Sequence, residues 1–166
     1  RLSGTGAHSC ASCHDPLLGF ADGVPVSAGA TGKRLERHTP TLWNLAWGES
    51  FFWDGRAATL EAQARGPIEH PSEMAGSLSR AAVLLSEDSA ARQQFEQAFP
   101  GENLLEPGQI LRALAAYERT IVSPQTRFDR WVGGDPSALD DRERAGFALF
   151  TGKAGCVDCH SGWAFT

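Results

Sequence analysis

The sequence has no excess of basic residues and no long apolar run. Its 166 residues contain 15 Lys and Arg against 20 Asp and Glu, which gives a formal net charge of -5. A surface that binds nucleic acid needs clustered positive charge, so nucleic acid is not an expected partner. The longest apolar stretches, such as residues 81–85, are much too short to cross a bilayer. We therefore predict neither nucleic-acid binding nor a membrane span.

A strand pattern is also absent, and the sequence predicts a mainly α-helical protein. Glycine and proline, at 18 and 9 residues, are too few for a disordered low-complexity chain, although they recur through a turn-rich loop at residues 15–40. Helices are predicted at residues 57–65, 78–86, 88–99 and 107–122. The first should end at Gly66 and Pro67, because proline cannot continue the hydrogen-bond ladder. The last carries an apolar stripe expected to face the core, made of Ile110, Leu111, Leu114, Tyr117 and Ile121.

Cysteine occurs only four times, and every copy belongs to a CxxCH motif. The motifs are Cys10-Ala-Ser-Cys13-His14 and Cys156-Val-Asp-Cys159-His160. In c-type haem attachment the two thiols add across the haem vinyl groups and the adjacent histidine ligates the iron, which explains the spacing. The motifs therefore predict two covalently attached haem c groups, with His14 and His160 as the metal ligands. Because such attachment is made outside the bacterial cytoplasm, we expect a periplasmic protein.

Other uses of four cysteines are compatible with the count. Paired CxxC elements also build four-cysteine zinc sites, and two disulfides would need the same number of thiols. Neither requires a histidine directly after each pair. A thioredoxin-like redox site would need a βαβ pattern around one CxxC, and the sequence shows none. The repeated histidine favours haem.

The adjacent Gly133 and Gly134 mark the predicted domain boundary. Residues 1–132 would form a first cytochrome c-like domain around the first haem. Residues 133–166 would begin a second cytochrome c-like domain around the second haem, with a helix capped by Asp135 or Ser137. The chain ends six residues after His160. We therefore expect the second domain to be truncated at its haem attachment site, and the first to lack a leading helix.

Several motifs together resemble the di-haem cytochrome c peroxidases and their relatives of the methylamine-utilisation maturation type. These motifs are RLSGTG at residues 1–6, SCASCHDP at 9–16, FFWDGRA at 51–57, TLEAQA at 59–64, PSEM at 71–74 and AAYERT at 115–120. They extend over essentially the whole chain. FWDGRA between two CxxCH elements is not a pattern that fold constraints alone would produce.

The resemblance implies a role for each matching residue. His14 would be the proximal ligand of the peroxide-binding haem, and Glu73 the distal acid and base. Gln63 and Pro67 would shape the same pocket, and Trp53 would be the bridging tryptophan between the two haems. Hydrogen peroxide would be reduced at the first haem with electrons delivered through the second. The implied donor is a small protein, a cytochrome c or a cupredoxin, and a homodimer is expected by analogy.

Three positions depart from the family pattern. No histidine lies between His14 and His38, so the first haem is expected to lack the loop ligand of many resting peroxidases. His38 stands where the family has an asparagine that helps to bind calcium, which argues against calcium and favours a hydrogen-bonded loop residue. Lys153 and its neighbours stand where the maturation enzymes carry a tryptophan. That departure removes support for their specific partner contact.

Two alternative functions remain open from the sequence. Met74, the only methionine, lies about as far beyond His14 as an axial methionine does in a small cytochrome. If it ligated the first iron, the protein would be a di-haem electron carrier without peroxidase activity. The second alternative is an enzyme that uses peroxide to oxidise tryptophan or tyrosine residues of a partner protein.

Overall fold

The computed structural model describes residues 2–102 and 106–165, and its regular structure is helical. The α-helices are α1 (Leu60–Glu69), α2 (Leu78–Ser86), α3 (Ser89–Ala98), α4 (Pro107–Glu118), α5 (Arg127–Val132) and α6 (Asp141–Thr151). Strand-like pairing in these residues is limited to three isolated bridges. The predicted mainly α fold is confirmed. No helix among the described residues has the length and apolar character that a bilayer crossing requires.

The chain divides into two compact units, one ending at Ser123 and the other beginning at Pro124. In the first unit α1 packs against α4, and α2 packs against α3 and α4. The apolar faces of α1, α2 and α4 form its main core, made of Ala64, Ile68, Leu78, Ala81, Ala82, Ile110 and Leu111. The long segment before α1 is mostly turns and short 3-10 helices, as the spacing of Gly and Pro predicts.

Helices α1, α2 and α3 of the first unit begin at side-chain caps. Thr59 accepts a hydrogen bond from the backbone N–H of Ala62 at 3.1 Å, and Ser77 accepts one from Arg80 at 3.3 Å. The Asp88 carboxylate accepts from two backbone N–H groups at the start of α3, at 2.9 and 3.0 Å. These bonds satisfy donors that have no partner inside the helix, so short polar residues place the helix starts.

The prediction that the first helix ends at Gly66 and Pro67 is wrong. Helix α1 continues through Pro67 to Glu69. Ile68 is only 3% exposed and belongs to the main core, so its burial holds the last turn in place against the loss of one proline hydrogen bond. Gly66 serves another purpose: a β-carbon there would lie 3.0 Å from the ring of Phe52, which packs against the helix.

Helix α4 is shorter than the apolar stripe predicts. Tyr117 is 64% exposed and therefore does not belong to the core. The chain turns after Glu118, and Ile121 is buried beyond the end of the helix. Its carbonyl accepts a hydrogen bond from the backbone N–H of Asn44 at 2.9 Å, and the Asn44 side chain also bonds to Ser123. The predicted stripe thus combines residues of α4 with Ile121, which is buried in the loop after the helix.

The second unit is built around aromatic side chains. Phe128 packs edge-on against Phe147 at 5.0 Å, and Trp131 packs edge-on against the same ring at 5.5 Å between centroids. These contacts join α5 to α6, so the unit begins before Gly133, N-terminal to the boundary that the sequence favours. The α6 cap is Asp140, which accepts from the backbone N–H of Glu143, and neither Asp135 nor Ser137 occupies that position.

Candidate functional site

The first CxxCH motif folds as one tight turn that places its histidine beside its cysteines. Residues Cys10–Ser12 form a 3-10 helix, and the backbone N–H of His14 donates to the carbonyl of Cys10 at 2.8 Å. The ring Nδ1 of His14 lies 2.9 Å from the carbonyl oxygen of Phe20. A carbonyl can only accept, so Nδ1 carries a proton, and in the neutral ring this leaves the lone pair on Nε2. That is the tautomer an iron-ligating histidine requires.

Local structure holds the Phe20 carbonyl in position. Phe20 has a φ of 59°, in the left-handed region, and its ring packs edge-on against Trp43 at 5.0 Å. The hydroxyl of Thr41 donates to the carbonyl of the preceding residue, Gly19, at 2.6 Å. The turn after the first motif is therefore anchored to the later loop. This anchoring orients the His14 ring.

The second CxxCH motif has the same backbone geometry. A 3-10 helix covers Cys156–Asp158, and the backbone N–H of His160 donates to the carbonyl of Cys156 at 2.9 Å. Gly155 precedes it with a φ of 66°. All four cysteines of the two motifs are free thiols. The repeated turn and the free thiols fit two haem c attachment sites.

Gln63 and Pro67 belong to α1, and Glu73 lies in the loop that follows this helix. Gln63 and Pro67 are four residues apart on one face of the helix, and each is partly exposed. The backbone N–H of Met74 donates to the Pro67 carbonyl at 3.1 Å, which returns the loop carrying Glu73 to the helix. The structure thus links the loop that carries Glu73 to Pro67 through the backbone.

The loop that carries Glu73 is clamped by close backbone contacts. A β-carbon on Gly29 would lie 1.7 Å from the carbonyl oxygen of Ser72, and one on Gly76 would lie 2.0 Å from another backbone oxygen. Only glycine permits such approaches. The backbone N–H of Ala30 also donates to the carbonyl of Glu73 at 2.6 Å. The carboxylate therefore projects from a fixed backbone.

Glu73 also lies within electrostatic range of the first haem attachment motif. Desolvation is the main cause that raises the pKa of the Cys13 thiol, and the negative charges of Asp22 and Glu73 raise it further. The Glu73 side chain keeps about a third of its surface exposed, and its Oε1 lies 3.8 Å from Nδ1 of His70. A partly exposed carboxylate near the motif can exchange protons with solvent and with a bound ligand.

Trp53 is held by its indole N–H. Its Nε1 donates to the backbone carbonyl of His38 at 2.8 Å, and Nδ1 of His38 lies 2.8 Å from the carbonyl of Val24. His38 is thus the hydrogen-bonded loop residue that the sequence predicts. Trp53 is 62% exposed. Two hydrogen bonds therefore link the tryptophan to the loop that follows the first motif.

An ion-pair group lies next to Trp53 in the chain. Asp54 accepts from Arg37 at 2.8 Å and from Arg56 at 2.7 Å, and these hydrogen bonds lower the pKa of Asp54 to about 2. The Arg56 guanidinium also lies 3.5 Å above the centre of the Phe52 ring. These contacts fix the FWDGR turn that carries the indole.

Comparison with known proteins identifies the family. Residues 1–137 match the model of the di-haem cytochrome c peroxidase family. The chain belongs to that family. It is 48% identical over 166 residues to the methylamine utilization protein MauG of Methylorubrum extorquens, covering 100% of this chain and 47% of that protein. It is 38% identical to cytochrome c551 peroxidase of Nitrosomonas europaea, covering 98% of this chain and 48% of that protein.

Solved structures agree with this assignment. A MauG-like protein associated with microbial copper homeostasis superposes with a TM-score of 0.88 at 32% identity, covering 96% of this chain and 47% of that one. The dihaem peroxidase BthA of Burkholderia thailandensis gives 0.77 at 27% identity, covering 96% and 45%. The chain spans about half the length of the curated relatives it matches. The fold described above is therefore similar to the folds of solved di-haem peroxidases.

Met74 contributes to packing in this family member. Its side chain lies against the main core of the first unit, and its backbone carbonyl accepts from Gly4 at 2.9 Å. These contacts explain the residue without an iron–sulfur bond. Among residues 2–102 and 106–165, no three His, Cys, Asp or Glu side chains gather as a metal site.

One group near the first motif was missed by sequence reasoning. Glu118 has a carboxylate oxygen that is buried without a hydrogen-bond partner, and its charge acts on the thiol of Cys10. His8 likewise presents a buried Nδ1 without a partner. The sequence offered one signal for Glu118, its place in the AAYERT motif of the cytochrome c peroxidases. That motif gave no chemical role to the carboxylate.

Proposed function

We propose that this chain carries the peroxide-reducing half of a di-haem c-type oxidoreductase. The observation that carries the proposal is the tautomer of His14: the Phe20 carbonyl holds Nδ1 and leaves Nε2 available beside two free thiols. The clamped loop places Glu73 near the same motif. Hydrogen peroxide would be reduced at the His14 site with electrons delivered through the His160 site. The proposal extends to a periplasmic location and a small protein donor.

The residues of the first unit would supply the proton chemistry. Haem c, when bound, supplies an iron that exchanges electrons with peroxide. Glu73 would take a proton from one peroxide oxygen and return it to the other, which leaves as water. Gln63 and Pro67 would limit the space around the carboxylate. Because the backbone of this loop is clamped at Gly29 and Ser72, the carboxylate needs little reorganisation.

Trp53 would relay electrons to the first site. An indole ring is readily oxidised, and its fixed N–H bond to the His38 carbonyl keeps the ring in one orientation. The family resemblance assigns the bridging position to this residue. The ion pairs of Asp54 stabilise the turn on which the ring stands.

Low-temperature electron paramagnetic resonance of the oxidised, full-length, haem-loaded protein tests this function. We expect a high-spin signal from the first haem that disappears when hydrogen peroxide is added, because no loop histidine follows His14 to close that face. Two low-spin signals would require the peroxide addition to be repeated after one-electron reduction. Continued inertness in that state would refute the peroxidase and leave an electron carrier.

Replacing Trp53 with phenylalanine should separate electron delivery from the reaction with peroxide. We expect reduction of the first haem through the second to slow by roughly tenfold or more, which corresponds to about 1.4 kcal/mol of barrier. The reaction of the first haem with peroxide should keep its rate. Stopped-flow absorption measures both steps. Trp47, which is also exposed, provides the control variant Trp47→Phe, and an equal slowing in both variants would contradict the relay.

A further inference from the structure

The carboxylate of Glu118 is placed where an ionised group is poorly accommodated. Glu118 is the last residue of α4, and its Oε2 is buried without a hydrogen-bond partner among the described residues. A buried carboxylate oxygen normally has a donor, because an unpaired one loses its hydration without replacement. The missing hydrogen bond costs more free energy when the carboxyl group is ionised than when it is protonated. Glu118 is therefore poised to change its protonation state.

The adjacent arginine does not neutralise this group. Arg119 donates to both carboxylate oxygens of Glu61, at 2.9 and 3.2 Å. Burial raises the pKa of Glu118 to about 7, the Arg119 charge lowers it and the Glu61 charge raises it. The charged and titratable groups that face Glu118 are thus Glu61 from α1, Arg119 after α4, and Cys10 from the attachment motif.

The third neighbour connects Glu118 to the first haem site. The charge of Glu118 is near enough to Cys10 to act on its thiol, and Cys10 is one of the two thiols that would hold the first haem. His8, two residues before Cys10, presents the other buried polar nitrogen without a partner. Of these two groups, Glu118 is the one whose charge acts on the attachment cysteine. A change of charge at the bound haem would change the proton affinity of this carboxylate, because the region between them is poorly solvated.

We propose that Glu118 takes up a proton when the first haem is reduced and releases it when that haem is oxidised. The inference rests on haem attachment at the first motif, as in the proposed function, but not on turnover of peroxide. One electron, from the protein donor or an electrode, converts iron(III) to iron(II). One proton from solvent forms an O–H bond on the Glu118 carboxylate. Electron and proton together leave the net charge of the site unchanged.

The physical reason is electrostatic. Reduction removes one positive charge from the haem, so the neighbouring carboxylate loses an attraction that favoured its ionised form. The proton affinity of Glu118 then rises, and by linkage the first haem becomes harder to reduce as the pH increases. The surface pair of Arg119 and Glu61 remains charged in both states. Glu118 would affect the reduction of the first haem through its charge alone and would not touch peroxide.

Potentiometric titration of the full-length, haem-loaded protein tests the proposal. Between about pH 6 and 8 we expect the equilibrium constant for reduction of the first haem to fall by up to tenfold per pH unit. In Glu118→Gln this dependence should be lost, since the amide cannot titrate. Glu49→Gln, an exposed carboxylate of the same unit, should retain it. The same pH dependence in wild type and Glu118→Gln, or none in wild type, would overturn the proposal.

An infrared measurement on the wild-type protein tests the proposal even if Glu118→Gln does not fold. The reduced-minus-oxidised difference spectrum of the wild-type protein should show a protonated carboxyl band that appears on reduction and shifts in heavy water. A spectrum without such a band would refute proton uptake at a carboxylate. Peroxide consumption, measured on the same samples, reports separately on the proposed function. A protein inert to peroxide but with proton-coupled reduction would refute the peroxidase and support Glu118.

Discussion

Replacing Glu73 with glutamine is expected to slow the reaction with hydrogen peroxide by roughly 10²- to 10⁴-fold, the usual contribution of a positioned acid and base. The amide has nearly the same shape but cannot accept the peroxide proton. Because the loop is held by backbone contacts at Gly29 and Ala30, the substitution should not disturb its fold. Stopped-flow absorption after mixing with peroxide measures the rate.

The controls for this experiment distinguish a loss of proton transfer from a loss of haem attachment. Both haems should remain attached in Glu73→Gln, as shown by haem content and mass. Glu87→Gln alters an exposed carboxylate of the same unit and should react like the wild type. An unchanged rate in Glu73→Gln would remove this residue from the mechanism and assign proton transfer to solvent. The comparison is informative because no other part of the pocket is changed.

Leu60→Ala should cost about 2–5 kcal/mol of unfolding free energy, the range for a buried leucine. Leu60 is 1% exposed and packs with Phe51, Ala57 and Ala115 in a second core cluster. This cluster joins α1 and α4 to the turn that leads into Trp53. The loss should therefore loosen the support of the tryptophan as well as lower stability. Denaturant unfolding of the haem-loaded protein measures the change.

A surface substitution provides the comparison for Leu60→Ala. Val83 is 56% exposed on α2, and Val83→Ala should change the unfolding free energy by less than about 0.5 kcal/mol. Equal losses in the two variants would contradict the assignment of Leu60 to the core. The expected difference is a large share of the total stability of a domain of this size, about 5–15 kcal/mol.

Local sequence signals predicted the helices well where caps and periodicity agreed. Helices α2 and α3 lie within a residue or so of their predicted bounds, because Ser77 and Asp88 satisfy their first N–H groups. The prediction failed at Pro67, where burial of Ile68 continues the helix. It failed again at Tyr117, whose ring is exposed although its spacing matches the core stripe. In both cases tertiary packing outweighed a local preference.

The candidate site also contains features that local sequence signals did not predict. The sequence named Glu73, Gln63 and Trp53 only through a family resemblance. The structure gives a physical reason for the course of the Glu73 loop: Met74 and Gly76 donate to backbone carbonyls of α1, and Gly29 packs against Ser72. The hydrogen bond from Trp53 to a backbone carbonyl had no sequence signal. Glu118 was missed because burial of a single carboxylate oxygen depends on residues far along the chain.

By itself the sequence determined the chemistry that depends on neighbouring residues. Thiols three apart followed by histidine predict an attachment site, because the covalent reach of the haem vinyl groups sets that spacing. The structure decided what depends on distant segments: the tautomer of His14, the backbone clamp around Glu73 and the unpaired oxygen of Glu118. Such features arise when burial removes water from polar groups, and burial is a property of the assembled fold.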